Sequence, residues 1–371
     1  MPRKRIAIVV PGGVGNGFYS QGVPALVNLI NGLSEQFEVT VYSLIEVSDT
    51  FRPENFKIKS VKTSRDQPVL WRMLSLCFII WKDHKKQSYD LFHGIWAGPS
   101  GMLAVFLGKL LIRPSVVSLQ GGETAAVEAI PYGHMLKPGK KRWLFRTLRA
   151  ASQVTTLTEF QSEILRKYGF TKNIKVTPIG VDTQIFVPVE KEFGPSFNFL
   201  HVANLTEVKD QETLLRAFRR IKDSLDCHLR IAGADYMEGR IQKLCKELNL
   251  EDYVTFLGPV KNTDLPQHFG WAHALIHTSL YEAQGVVIVE AAACKVLIAG
   301  TRTGIISDLQ NETVSVAPGD HQGLAEKVLN IASHQEQWEV VVQKAYQWAT
   351  ENDIRFTVNS FADIYNHHIN S

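Results

Sequence analysis

ALIHTSLYEAQGVVIVEAAACKVLIAG, residues 274–300, is the stretch whose pattern decides the fold. It opens on a short apolar run ending at Ser279, crosses the loop LYEAQG, enters a helix near Val286 that continues to Cys294, and closes on a second apolar run, VLIAG. Two apolar strands joined by a helix form a βαβ unit, with parallel strands buried on both faces. The alternation continues outward. Upstream stand FNFLHVANL, a helix over 211–223, CHLRIAG, a helix over 239–249, YVTFLG and a helix over 262–270. Residues 182–197, with Pro188, Gly194 and Pro195 and no periodicity, are the linker candidate. Before the linker the pattern runs RIAIVV, a helix over 21–33, EVTVYSL, a helix over 69–85, DLFHGIW, a helix over 100–111, SVVSLQ, VTTLT, a helix over 159–168 and KVTPIGVD. After Glu326 it is helical, with separate segments at 337–350 and 356–368.

A chain of 371 residues exceeds one ordinary core. The alternation predicts two α/β domains, each a parallel sheet wound on both faces: residues 1–188, then 189–352, with a last helix over 353–371 packing back on the first domain. Ligands of such sheets sit beyond the carboxyl ends of the strands, and two domains face to face would line a central cleft.

With 45% hydrophobic and 21% charged residues, the composition is that of a folded globular protein. The basic start MPRKR precedes an apolar run of only Ile6 to Val10 before Pro-Gly-Gly, which suits a first buried strand better than a signal peptide. The longest apolar stretch, residues 69–81, is broken by Arg72 and falls short of the ~20 residues that cross a bilayer. Cys77, Cys227, Cys245 and Cys294 show neither disulfide-framework nor metal-ligand spacing, which points to a reducing cytoplasm. Net charge is +3, but up to Val189 there are 24 Lys+Arg against 13 Asp+Glu, and beyond it 16 against 24. Much of the excess lies in residues 137–149, KPGKKRWLFRTLR, which open on Lys137 and close on Arg149; Lys82, Lys85 and Lys86 follow the aromatic stretch 71–81. Basic residues interleaved with Trp, Phe and Leu suit an anionic membrane surface, or equally a solvated helix face over a core; nucleic acid is not an expected partner.

The chemistry gathers around Glu282 and Glu290. A helix beginning near Val286 presents unpaired N–H groups and a positive dipole end, a site for phosphate at the amides of Gln284, Gly285, Val286 and Val287. The carboxylates of Glu282 in the loop and Glu290 further into the helix are suited to accepting hydrogen bonds from sugar and ribose hydroxyls.

The spacing of the two glutamates, with EAAACKVLIAGTRTG after it, resembles the donor signature of the family 4 glycosyltransferases, retaining enzymes of the GT-B fold. PGGVGNG, DLFHGIWAGPSG, VTPIGVDTQIF and HVANLTEVKDQETLLRAF resemble further blocks of that family, in its order, over nearly the whole chain. The resemblance implies two Rossmann-like domains and transfer of a sugar from a nucleotide diphosphate sugar to a hydroxyl. It assigns Lys209 to the diphosphate leaving group in place of a metal; no Asp-x-Asp motif occurs. It sets Gly13 beside the donor phosphates, His93 facing the cleft near the reacting carbon, with a packed histidine as the other reading, Glu123 on the acceptor side, and Gly233, Gly258 and Val260 at the base.

The chain departs from the family pattern at Asn204, where an arginine is usual, at Ile95 and at Gln120, where histidines are common. Arg302 is the candidate compensating cation. The resulting expectation is a metal-independent retaining glycosyltransferase without cofactor, acting on a glycan or lipid-linked acceptor in cell-surface polysaccharide or glycolipid assembly, cytoplasmic or peripheral at the inner face of the membrane. The alternatives are a nucleotide-sugar epimerase on the same fold and a non-catalytic nucleotide-sugar binder.

Overall fold

The structure, a computed structural model, describes residues 3–16, 22–62, 67–191 and 196–371. Gly17 of the glycine-rich turn, Gln21 at the expected start of the first helix, and Gly194 and Pro195 of the linker candidate lie outside the described residues. In chain order the elements are β1 (Arg5–Val10), α1 (Pro24–Gln36), β2 (Glu38–Ser43), β3 (Lys57–Ser60), α2 (Val69–Lys86), β4 (Leu91–Ile95), α3 (Pro99–Leu111), β5 (Ser115–Ser118), α4 (Pro138–Ala150), β6 (Gln153–Thr156), α5 (Glu159–Lys167) and β7 (Ile174–Val176). There follow β8 (Ser196–Val202), α6 (Gln211–Lys222), β9 (Asp226–Ala232), α7 (Arg240–Glu247), β10 (Val254–Gly258), α8 (Leu265–Trp271), β11 (Ala274–His277), α9 (Val286–Ala293), β12 (Leu297–Thr301), α10 (Ile305–Asp308), β13 (Val314–Val316), α11 (His321–Ala332), α12 (Gln335–Glu351) and α13 (Ile354–Asn370).

These elements make two compact units: Met1–Ala126, Gly133–Ile179 and Ile354–Ser371 form one, Val127–Tyr132 and Gly180–Asp353 the other. The first holds a seven-stranded sheet ordered β3-β2-β1-β4-β5-β6-β7, the second a six-stranded sheet ordered β10-β9-β8-β11-β12-β13. Every paired strand is parallel. Each sheet starts on an interior strand, builds to one edge, then crosses back, so the winding reverses between β1 and β4 and again between β8 and β11. Loops diverge at a reversal and leave a crevice at the strand ends.

The period of two along each strand sorts side chains into separate cores. Ile6 and Ile8 of β1 pack with Leu29 and Leu33 of α1 and Phe361 of α13, whereas Ala7 and Val9 pack with Leu76 and Ile80 of α2 and Leu103 and Leu107 of α3. In the second unit Ala274 and Ile276 of β11 join the core of α6 and α11, and Leu275 joins that of α9 and α12. Both units are therefore three-layered, with helices on each face of a parallel sheet.

Residues 137–149 resolve into a two-sided helix, α4. Leu144, Phe145 and Leu148 enter the core with Val117 and Val154, and only Trp143 of its large apolar residues stays exposed. The interleaving there is mainly the signature of a basic solvated face over a packed one.

Helix α13 lies against α1 in the first unit and is fixed by a buried polar chain. Tyr365 Oη is 2.6 Å from His93 Nδ1, His93 Nε2 is 2.7 Å from Ser118 Oγ, and Ser118 Oγ is 2.6 Å from Thr155 Oγ1. Burial pushes the His93 pKa down to about 3, so its ring is neutral, with one nitrogen donating and the other accepting. Tyr365→Phe strands a buried ring nitrogen, and the expected loss is about 1–2 kcal/mol, read as a lowered urea midpoint, whereas exposed Asn366→Ala on the same helix should leave the midpoint unchanged.

Candidate functional site

The reversal point of the second sheet brings together the strongest charges of the site. After β8 the chain turns through a short 3₁₀ segment, Glu207–Lys209, and Asp210, at φ 47°, caps α6 by accepting from Thr213 N. That turn is clamped to the end of β11. Leu280 N donates to Val208 O at 2.8 Å, and Thr278 Oγ1 donates to the carbonyls of Lys209 at 3.1 Å and Asp210 at 2.9 Å. Lys209 is thereby held opposite Glu282, and its ammonium pairs with Glu282 Oε1.

Three donors converge on that oxygen: Lys209 Nζ, His277 Nε2 at 2.8 Å and Ser279 Oγ at 2.7 Å. Burial pushes the Glu282 pKa up, but the Lys209 charge and then the His277 hydrogen bond outweigh it and hold the carboxyl well below its usual range. Nε2 of His277 donates to the carboxylate, and its Nδ1 is buried without a hydrogen-bond partner among the described residues. The ring lies near that of His201, centroids 5.9 Å apart and planes at 27°. His201 donates through Nδ1 to Ile276 O at 2.8 Å and accepts at Nε2 from Gln211 Nε2 at 3.2 Å; burial first, then the neighbouring His277, pushes its pKa down to about 3. His277 and Ser279 escaped the sequence argument, although the signal was present: the apolar run Ala274–Ile276 ends in three polar residues, His277, Thr278 and Ser279, just before the loop that carries Glu282.

The helix start stands next to this cluster. Gly285 caps α9 at φ +84°, a conformation strained for other residues, and a Cβ there would meet Ile288 at 2.6 Å. The half-buried Val286 and Val287 open the helix, so their N–H groups belong to the first turn, where no intrahelical acceptor exists. Gln284 is buried, and its carbonyl accepts from Ile305 N at 2.9 Å, tying the loop to the segment after β12. Glu290 is buried one turn in and accepts from Asn262 Nδ2 at 3.0 Å. Burial pushes its pKa up to about 7.

The other candidates take varied places. Asn204 Oδ1 accepts from Ala234 N at 3.0 Å and its carbonyl accepts from Gln211 Nε2, so the residue joins the loops after β8 and β9. Gly233 is required by packing: a Cβ would lie 2.0 Å from Ala203 O. Its N–H donates to Gly258 O at 2.8 Å, and Val260 packs partly buried beside Ile288 and Val289. Arg302 donates to Ser315 O on the edge strand β13 at 3.4 Å, which turns its guanidinium to that side of the sheet.

In the first unit, Gly13 follows β1 with its N–H on Asn16 Oδ1 at 2.8 Å. His93 is fully buried, with Tyr365 and Ser118 at its two ring nitrogens, an arrangement that fits the packed reading of this residue. Glu123 is buried as well; it accepts from Ala97 N at 3.0 Å and Gly121 N at 2.7 Å, and burial raises its pKa. It fastens the loops after β4 and β5.

A family model described as Glycosyl transferases group 1 matches residues 183–348, and one described as Glycosyltransferase Family 4 matches residues 25–185. The chain belongs to the family 4 glycosyltransferases. The transferase is 29% identical over 267 residues to the N-acetyl-alpha-D-glucosaminyl L-malate synthase of Bacillus anthracis, covering 68% of each chain. It is 25% identical over 246 residues to the GDP-mannose-dependent alpha-(1-6)-phosphatidylinositol monomannoside mannosyltransferase of Mycobacterium tuberculosis, covering 61% of this chain and 62% of that one. Among curated relatives the match spans 29% to 68% of their own length. Sucrose-phosphate synthase from Thermosynechococcus elongatus superposes with a TM-score of 0.82 at 17% identity, over 98% of this chain and 99% of that one, and shares the GT-B fold.

The raised pKa of Glu290 makes a stability prediction. Between the ordinary carboxylate pKa of 4.5 and about 7 the folded transferase binds more protons than the unfolded chain, so stability falls as pH rises through that window. Glu290→Gln keeps an acceptor for Asn262 and removes the titration. Its melting temperature is expected to equal wild type near pH 5 and exceed it at pH 8, by the equivalent of about 1–3 kcal/mol.

Proposed function

We propose that the transferase takes its sugar from a nucleoside diphosphate sugar, without a bound metal, and passes it with retention to a hydroxyl of an acceptor carried at a membrane surface, in cell-surface polysaccharide or glycolipid assembly. The observation that carries this is the meeting of an ammonium, an ionised carboxylate and a helix N-terminus at one reversal point: Lys209, Glu282 and the start of α9.

On this proposal the diphosphate lies against the amides of Val286 and Val287, and Lys209 transfers part of its charge pairing from Glu282 to the phosphate as the bond to the sugar breaks. Glu282 stays ionised through His277 and Ser279, and its second oxygen, Oε2, accepts from a sugar hydroxyl. Glu290, deeper and bonded to Asn262, accepts from ribose hydroxyls, which would favour its ionised form. The bond from the anomeric carbon to the phosphate oxygen breaks, the acceptor oxygen bonds to that carbon on the same face, and the acceptor proton passes to the departing phosphate. The M. tuberculosis relative, named for GDP-mannose and a phosphatidylinositol mannoside, supports a nucleotide sugar and a lipid acceptor.

A thermal-shift screen of nucleotide sugars should single out one donor, and turnover with it should persist in EDTA. Lys209→Ala is expected to lower kcat by about 10²-fold or more, while Arg302→Ala stays near wild type. Turnover that needs manganese, or a product of inverted anomeric configuration by NMR, would refute the scheme. Conversion of the donor with no acceptor present would instead favour an epimerase.

A further inference from the structure

The outer faces of α2 and α3 are unusual for a solvent-facing layer. On α2, Leu70 (65% exposed), Trp71 (63%), Leu74, Phe78 (62%) and Trp81 all point outward. Their spacing of three or four residues puts them on one stripe. The opposite face of the helix, with Leu76 and Ile80, is buried in the core. Helix α2 is thus apolar on both sides, and only one side has a partner in the described chain. The adjoining α3 adds Phe106, Leu110 and, at its end, Ile112, which is 89% exposed at φ +53°, a left-handed conformation that disfavours a β-branched side chain. Single exposed apolar residues need no explanation, but two neighbouring helices that extend one apolar surface do.

The exposed charges at the ends of these two helices are basic. Exposed Lys82, Lys85 and Lys86 end α2, with Lys85 over the Trp81 ring, and exposed Lys109 and Arg113 end α3. The single acid of α2, Asp83, bonds Tyr42 Oη and Lys59 Nζ, each at 2.6 Å, and α3 and α4 contain no Asp or Glu. No helix among the described residues is long and apolar enough to cross a membrane.

We propose that the α2–α3 face docks on an anionic lipid bilayer, with Trp71, Leu74 and Phe78 entering the headgroup boundary and the lysines at the helix ends lying among anionic headgroups. Apolar insertion combined with basic flanks is the chemistry of in-plane membrane binding. A second copy is disfavoured as the occupant, because the same face would bring no acid to meet these lysines except Asp83, which is already bonded to Tyr42 and Lys59. The inference deepens the membrane-surface part of the proposed function. It also moves insertion from residues 137–149 to α2, leaving α4 as a supporting basic face.

The test is flotation of the full chain with phosphatidylcholine vesicles containing about one-third phosphatidylglycerol, against pure phosphatidylcholine, at low and high salt. Wild type should float with the anionic vesicles only, and more strongly at low salt. Leu74→Ser with Phe78→Ser should lower partitioning by at least ~10-fold with unchanged melting temperature and donor-induced thermal shift, and Lys82→Gln with Lys85→Gln and Lys86→Gln should flatten the salt dependence. Absence of flotation at low salt overturns the proposal, as does equal binding to both vesicles. A wild-type dimer dissociated by the Leu74/Phe78 pair would assign the face to a second copy, also against it. Donor binding is read separately, so failure here leaves the transfer scheme standing.

Discussion

A buried carboxylate stays ionised only where cations and donors meet it, and at Glu282 that requirement organises the second unit. A lone ionised carboxylate taken out of water costs several kcal/mol or more. Here Lys209, His277 and Ser279 all converge on Oε1. None is free to be elsewhere. Lys209 is delivered by backbone clamps from Val208 to Leu280 and from Thr278 to the 3₁₀ turn; His277 is delivered by the last position of β11 and Ser279 by the loop that follows it. The reversal between β8 and β11 brings the two loops side by side, and the pairing of charges locks them. The charges are thus held by the protein's own clamps, which under the proposed scheme is what electrostatic stabilisation of a leaving group requires.

The first unit repeats the topology with the opposite chemistry. At its reversal, between β1 and β4, the polar strand residue is His93, and its environment is apolar and closed: Phe361 lies 5.2 Å from its ring, and Tyr365 and Ser118 take both nitrogens. With no carboxylate beside it, desolvation wins and the imidazole is neutral. One fold therefore carries a charged network in one sheet and a neutral one in the other, and what separates them is whether an acid and an amine stand within reach. The neutral network joins a helix from the end of the chain to the first sheet, a structural task suited to a group that does not titrate near neutrality.

How much of this was legible in the sequence follows from what burial does to composition. Parallel strands covered on both faces read as unbroken apolar runs, so β1, β4, β8, β11 and β12 announced themselves. Two of the four edge strands did not: β3 is KIKS, with its lysines exposed, and β13 is only VSV. Glu282 and Glu290 were legible because two acids beside an apolar helix start are out of place. Lys209 was legible only through family resemblance, since one lysine after a strand is ordinary. His93 stayed open because a histidine at a strand end looks the same whether it faces a ligand or packs against a tyrosine some 272 residues away in sequence, the partner it has here. Helix α2 was visible as a helix, but its exposed stripe was not, because outward and inward apolar residues are the same letters.

At Asn204 the structure has a clamp where the family resemblance leads to a charge. Where the family usually carries an arginine, this chain has an amide whose oxygen accepts from Ala234 N, while its carbonyl accepts from Gln211 and Gln211 reaches His201. A guanidinium has five donors and no acceptor, so it could not take the Ala234 N–H. The asparagine thus exchanges a positive charge for a clamp between the loops after β8 and β9, and that clamp runs through His201 to the ring beside the Glu282 partner His277. Under the proposed scheme this leaves the leaving group with one ammonium and the helix-start amides. Preorganisation then has to do more of the stabilising, and a rigid loop that holds Lys209 in register is the feature such a site would most need.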